Sequence, residues 1–127
     1  MALDGDRILV LKRKWLDLII EGRKVIEVRG MRLRAGAYLI GCKGKAFARI
    51  RFGQAYEIKT DAHWKRLAKR HLVATPCRPY KHTWAIPVEN VEALSQPIPY
   101  HHPRGAVGIV VYRSSGLEAL SGAPPNQ

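Results

Sequence analysis

The stretch Lys12–Arg29 constrains the fold most, because it combines a helix, a stop and a strand in one short run. Within Lys14–Glu21, apolar residues recur at the i,i+3 and i,i+4 spacings of one helix face. Gly22 follows where a left-handed C-cap is expected, since glycine has no Cβ to clash there. The next residues include the β-branched Val25, Ile26 and Val28, which favour a strand. The pattern therefore predicts a helix that ends beside a strand carrying a lysine, a glutamate and an arginine.

The remaining pattern predicts short strands with one further helix. A helix over Asp61–Leu72 has Thr60 or Asp61 as its N-cap and carries Trp64 on its apolar face. Pro87 predicts an edge or a bulge, because proline cannot donate to a strand ladder. The other strands are predicted at Ile8–Leu11, Ala37–Cys42, Ala46–Ile58 (with a bend at Gly53), Trp84–Leu94 and Gly105–Tyr112; Lys43–Lys45 is predicted as a tight turn, and Val73–Thr83 and Ser95–Gly105 as loops.

These elements predict an α+β fold, a small and partly open β-barrel of five or six strands with two inserted α-helices. A chain of 127 residues has room for one modest core. We therefore predict a single domain over 1–113 and a disordered tail over 114–127, where small and polar residues follow the last apolar run.

The charge balance indicates an anionic partner. The chain has 22 Lys and Arg against 10 Asp and Glu, a net charge of +12, and such a field attracts polyanions. Nucleic acid is the favoured partner, whereas nothing in the sequence predicts a membrane span or a signal peptide. The two cysteines, Cys42 and Cys77, are expected to be reduced thiols in an intracellular setting, cytoplasmic or nuclear. No cysteine or histidine spacing predicts a metal site, and no cofactor is expected.

A family resemblance rests on the opening stretch. Gly22, Lys24, Glu27 and Arg29, after a helix that carries Lys14 and Trp15, resemble the opening signature of an ASCH domain. The resemblance extends more loosely to about Tyr112, through Gly36, Pro103, Gly105 and Ala106. It implies a PUA-like barrel, in a group of domains that mostly handle RNA.

The resemblance also suggests chemistry for the triplet Lys24, Glu27 and Arg29. One amidohydrolase branch of the ASCH domains acts on acetylated cytidine with a lysine at the Lys24 position. That branch has a threonine nucleophile where this chain has Glu27, so the same intermediate would not form here. Other members resemble weak ribonucleases; in such a site Lys24 or Glu27 would deprotonate a 2′-hydroxyl while Arg29 held the phosphate.

The strand period raises a geometric question about this triplet. In a regular strand Lys24 and Glu27 point to opposite faces, so they share a site only if Lys24 still belongs to the turn. Two plainer interpretations stay open: Lys24 is a solvated lysine, or Glu27 and Arg29 form a structural ion pair on one face. Trp15 has the same ambiguity, since it could stack on a base or anchor the helix to the core.

The predicted function is therefore RNA binding, with single-stranded RNA favoured and DNA as an alternative ligand. A second hypothesis is a metal-independent ribonuclease or modified-nucleoside hydrolase that uses Lys24 as its base; a third is a protein adaptor that docks through the proline-rich loop Gln96–Pro103. Tyr80 and Tyr100, in predicted loops, are further candidates for stacking. The predicted nucleic-acid-binding residues are Lys12, Lys14, Trp15, Lys43, Lys45, Lys65, Arg66, Lys69, Arg70, Arg78, Tyr80 and Lys81.

Overall fold

The computed structural model of the chain describes residues 4–105 and 108–113. The predicted tail, 114–127, and Ala106 lie outside these residues. Within the described part, seven strands and three short helices follow one another: β1 (Arg7–Val10), α1 (Arg13–Ile20), β2 (Ile26–Arg29), β3 (Gly36–Cys42), β4 (Lys45–Phe52), β5 (Tyr56–Ile58), α2 (Asp61–Arg66), α3 (Ala68–His71), β6 (Thr83–Pro99) and β7 (Ile109–Val111).

The strands form a curled half-barrel around which the helices pack. Six of them follow the order β2-β6-β4-β3-β1-β7, and the short β5 pairs with β6 beside this path. β1 is parallel to β3, and the other described pairs are antiparallel. The predicted α+β class and small barrel are confirmed.

The predicted second helix is divided in two. Its N-cap is Thr60, whose Oγ1 accepts a hydrogen bond of 3.1 Å from the backbone N–H of His63, as predicted. Leu67 separates α2 from α3, and the chain leaves α3 through Leu72 in the left-handed conformation, with φ 61°. A leucine in that region costs free energy, so the surrounding contacts must hold the turn.

One predicted loop was wrong. Ser95–Pro99 does not belong to a proline-rich loop but continues β6, which pairs its end with Lys45 and Ala46 of β4. Among the described strands, the second half of β6 pairs with β4 alone. Its other edge forms no strand ladder there, so prolines, which lack a backbone N–H, are tolerated. The predicted adaptor loop Gln96–Pro103 is therefore strand over its first half.

The irregularity predicted at Pro87 is present as a bulge. Pro87 pairs with Ile26 of β2, and the register against β4 shifts where Phe52 faces Val88 and Arg51 faces Asn90. At this shift β6 passes from its β2 and β5 partners to β4.

Three apolar clusters make up the core. One lies under α1, which buries Leu16 and Ile19, and a second lies under α2, which buries Trp64. Fully burying an aliphatic side chain stabilises the fold by roughly 1.5–3 kcal/mol. Tyr100 belongs to the third cluster and is 5% exposed, so its assignment as a freely stacking loop residue was wrong: the end of β6 carries it inward.

Candidate functional site

Lys24 lies in the turn between α1 and β2. Gly22 has φ 79° and ends the helix as predicted, and the N–H groups of Arg23 and Lys24 both donate to the carbonyl of Leu18 at 3.0 Å. β2 begins at Ile26. Because Lys24 precedes the strand, the alternation of strand faces does not apply to it, and its side chain shares a site with that of Glu27.

The side chains of Lys24, Glu27 and Arg29 form one cluster. The Lys24 Nζ lies 3.9 Å from Glu27 Oε1, and Arg29 Nη1 donates to Glu27 Oε2 at 3.2 Å. Lys24 is 1% exposed and Glu27 is 4% exposed, whereas a quarter of the Arg29 side chain is exposed. The structural ion pair between Glu27 and Arg29 therefore exists, and it is joined by a buried ammonium group.

Burial shifts both buried groups toward their neutral forms. It lowers the pKa of Lys24, and the nearby Glu27 carboxylate opposes this shift. It raises the pKa of Glu27, and the charges of Lys24 and Arg29 oppose this second shift. Carboxyl and amino groups whose pKa values move toward neutrality are suited to proton transfer, so the cluster meets the electrostatic condition for acid–base chemistry.

A second layer of contacts holds Lys24 in place. Its Nζ donates to the carbonyl of His71 at 2.5 Å, at the end of α3. The His71 ring stacks on Trp64 with centroids 3.8 Å apart. Its Nδ1 accepts from the N–H of Val73, so the proton sits on Nε2, which donates to the carbonyl of Trp64. Burial lowers the pKa of His71, and the ring is a neutral structural support.

The cluster opens into a cleft of about 840 Å³. Trp15 lines it, and the ammonium groups of Lys14 and Lys24 each lie 4.7 Å from the centre of its ring. Tyr80, half exposed, packs against Gly30, where an added Cβ would meet the tyrosine ring at 3.1 Å. The lining residues are Val10, Leu11, Lys12, Arg13, Trp15, Lys24, Glu27, Val28, Arg29, Cys42, Lys43, Val73, Pro79, Tyr80, His102 and Gly108.

The predicted nucleic-acid-binding residues fall into two groups. One group lines the cleft together with the catalytic candidates: Lys12, Trp15, Lys43 and Tyr80. Lys14 contacts the Trp15 ring but does not line the cleft. The others are outside the cleft, and of these Lys45, Lys65, Arg66, Lys69, Arg70 and Lys81 are exposed.

Arg78 is already bound within the protein. Its Nε donates to Asp61 Oδ1 at 2.8 Å, and its Nη1 donates to the carbonyl of Lys59. The hydrogen bonds from Arg78 lower the pKa of Asp61. These contacts hold the loop after α3 against the start of α2, so Arg78 has a structural role in addition to its positive charge.

Several cleft residues were not predicted from the sequence. Val73 and Pro79 come from the loop before β6, and His102 and Gly108 from the segment before β7. Gly108 lets the Arg29 guanidinium lie close to the backbone, because a Cβ at this position would be only 3.3 Å from Arg29 Nη2. The adjacent histidines before Pro103 were a visible signal for His102, but apolar wall residues carry no signal of this kind.

Cys42 and Cys77 are free thiols. Over 4–105 and 108–113, no group of three or more His, Cys, Asp or Glu side chains is arranged to hold a metal ion. No helix in the described part of the chain is long and apolar enough to cross a membrane.

Three crystal structures of the ASCH protein from Zymomonas mobilis share this architecture. A serine-to-alanine variant aligns with a TM-score of 0.68 and 12% identity, over 90% of this chain and 94% of that one. The chain has the ASCH fold. The structure of the Zymomonas mobilis ASCH protein without a named substitution aligns with a TM-score of 0.68 and 12% identity, over 89% of this chain and 91% of that one. A tyrosine-to-phenylalanine variant aligns with a TM-score of 0.67 and 12% identity, over 89% of this chain and 96% of that one. The sequence itself matches no protein-family model and no curated protein.

The ASCH fold was predicted from a few residues at the opening stretch, and that prediction is confirmed. The side chains of Lys24, Glu27 and Arg29 contact one another and all line the cleft, which is consistent with one shared site. Their roles in binding and catalysis stay predictions.

Proposed function

We propose that the cleft binds one base of a single-stranded RNA, with the phosphate backbone running over its basic rim. The observation that carries this proposal is a buried, charged floor beside an aromatic wall. Glu27 and Lys24 lie at the bottom, and Trp15 and Tyr80 stand on the sides. A base brings the matching features, a flat π-face for the aromatic rings and polar edges for the floor.

The rim supplies the electrostatic complement. Lys12 and Lys43 are exposed at the cleft, and the net charge of +12 adds a long-range attraction for phosphate. Each phosphate contact to a single strand contributes about −0.7 to the slope of log affinity against log salt. Six contacts would give a slope near −4, and an affinity insensitive to salt would count against the proposal.

Stacking on Trp15 is tested by a Trp15→Leu variant, titrated with a short single-stranded RNA. Loss of one stacked base costs about 1–3 kcal/mol, a fall in affinity of roughly 5- to 150-fold. The matched control is Tyr56→Leu, because Tyr56 is an exposed aromatic residue that stacks on His63 and does not line the cleft. Equal affinity of Trp15→Leu and the wild type would refute base stacking at this site.

A second candidate function is metal-independent RNA cleavage, favoured by the raised pKa of Glu27. With its carboxylate ionised, Glu27 would take the 2′-hydroxyl proton. The 2′-oxygen would then attack the adjacent phosphorus as the 5′-oxygen left, with Arg29 and Lys24 stabilising the charge on the phosphate. Water would supply the proton for the leaving oxygen, and the products would be a 2′,3′-cyclic phosphate and a 5′-hydroxyl.

Labelled RNA incubated without metal separates the two candidates. If the protein is an enzyme, Lys24→Ala and Glu27→Gln should lose cleavage and keep RNA binding within about tenfold. If it is a binding module, no variant and no wild-type sample should cleave. A contaminating nuclease would cut equally in all samples.

A further inference from the structure

The loop between β2 and β3, residues 30–35, carries two arginines that the cleft does not use. Arg32 and Arg34 are both exposed. Together with Ala35 and Gln54 they line a second hollow of about 360 Å³. This hollow is basic, since its lining combines two guanidinium groups with one side-chain amide.

Neither arginine is neutralised by the protein. In the described part of the chain no ion pair joins Arg32 or Arg34 to an acidic side chain, whereas Arg13, Arg49 and Arg78 each have an aspartate within 4 Å. A guanidinium that faces solvent without a carboxylate is available for an external anion, and its forked donors match the oxygens of a phosphate.

The protein holds this loop in place from behind. The hydroxyl of Tyr38 donates to the carbonyl of Arg34 at 2.6 Å. Arg7 in turn donates to that hydroxyl at 3.0 Å and stacks 4.0 Å above the tyrosine ring. On the other side, the Arg32 guanidinium lies 5.9 Å from the ring centre of Trp84. Anchoring through a backbone carbonyl fixes the loop while it leaves the Arg34 side chain outward.

The loop that lines the hollow directly follows Arg29 of the cleft in the chain. Arg29 lines the cleft, and Arg32 follows it three residues later. Consecutive Cα atoms are 3.8 Å apart, so the two arginine Cα atoms are separated by at most about 11 Å. A strand that leaves the cleft on the Arg29 side would therefore meet the loop within one or two nucleotides.

We infer that Arg32, Arg34 and Gln54 form a phosphate subsite for the nucleotide next to the base in the cleft. The inference rests on the proposed function and deepens it: the preferred ligand is an oligonucleotide of at least two residues rather than a free nucleoside. The two arginines hold the phosphodiester oxygens, and the Gln54 amide donates a neutral hydrogen bond.

The test compares Arg32→Gln/Arg34→Gln with the wild type, using one nucleoside and one short single-stranded RNA as ligands. Losing two phosphate contacts should reduce the salt slope by about 1.4 and weaken RNA binding about 25-fold at 0.1 M salt. Nucleoside affinity should be unchanged. Arg32→Lys/Arg34→Lys keeps both charges and should keep the slope, which separates loss of charge from damage to the fold.

The matched control is Lys59→Gln/Arg113→Gln, which removes the same charge from two exposed positions that line neither hollow. If the arginine-to-glutamine pair behaves like this control, the subsite is refuted while the base cleft stands. If the wild type binds neither ligand, the proposed function fails and the subsite fails with it. Weaker binding of RNA and nucleoside alike would also overturn the subsite, because it would show a general defect in the cleft.

Discussion

Replacing Lys24 by methionine should destabilise the fold strongly at neutral pH. The substitution keeps the length of the side chain and removes an ammonium group that is 1% exposed. It abolishes the hydrogen bond to the His71 carbonyl, and a bond from a charged donor contributes about 1.5–3 kcal/mol. It also leaves Glu27 buried with one cation fewer, and breaking a buried pair costs roughly 3–5 kcal/mol. Since Arg29 remains 3.2 Å from Glu27, we expect the free energy of unfolding to fall by about 3 kcal/mol, the low end of the range for a broken buried pair.

The loss should shrink in acid, and the direction follows from Glu27. Without Lys24, the raised pKa of Glu27 rises further, so the folded state keeps a proton that the unfolded state has lost. The free energy of unfolding of the variant therefore increases as the pH falls from the folded pKa toward the ordinary glutamate value. In the wild type this increase is smaller, because the charge of Lys24 holds the Glu27 pKa down.

Urea unfolding at about pH 7.5 and about pH 5.5 measures both effects. With a slope of about 2 kcal/mol per molar urea, the expected loss moves the midpoint by about 1.5 M at the higher pH. Lys12→Met is the matched control; its lysine is exposed, and the change should stay within about 0.5 kcal/mol. The double variant Lys24→Met/Glu27→Gln should recover part of the loss, because no carboxylate is then left uncompensated. A Lys24→Met protein as stable as the control, or equally destabilised at both pH values, would refute this account of the cluster.

Three further predictions concern the supports of the site. Thr60→Ala should lower the free energy of unfolding by about 1 kcal/mol, measured by thermal melting, because it removes the N-cap acceptor of α2. Gly30→Ala should weaken RNA binding without a large change in melting temperature, since the new methyl group would displace the exposed ring of Tyr80; unchanged affinity would show that this ring is not used. His71 has a lowered pKa, and its protonation would break the bond from Val73. As the pH falls below the ordinary histidine value, His71 therefore lowers the stability of the wild type, against the opposite contribution of Glu27, so His71→Asn should gain stability relative to the wild type in thermal melts over the same interval.

The local features of this fold could be predicted from the sequence because each depends on a few adjacent residues. Gly22 ends α1, Thr60 caps α2, and Lys43 with Gly44 forms the turn between β3 and β4, where both have positive φ. The two separated helical patterns and the short strands sufficed for the class of fold.

The site could be predicted only in part, because its main contacts join distant residues. That Lys24 and Glu27 occupy one region followed from the opening stretch, but the partner of Lys24 is the carbonyl of His71, forty-seven residues away. Backbone acceptors leave no trace in a sequence pattern. The burial of Tyr100 was missed for a related reason: it depends on the pairing of the proline-rich end of β6 with Lys45 and Ala46 of β4, which lie far away in the sequence.

The long strand β6 also fixes when the site can form during synthesis. Glu27 and Arg29 lie on β2, which among the described strands pairs only with β6, and β6 spans Thr83–Pro99. In a nascent chain, β2 and its Glu27 therefore have no strand partner until more than fifty later residues, counted from Arg29 to Thr83, have been synthesised. Pairings so far apart in sequence form slowly and expose strand edges meanwhile. Newly made chains of this protein should thus depend on rapid completion, or on a chaperone, to a degree that the small size of the domain does not suggest.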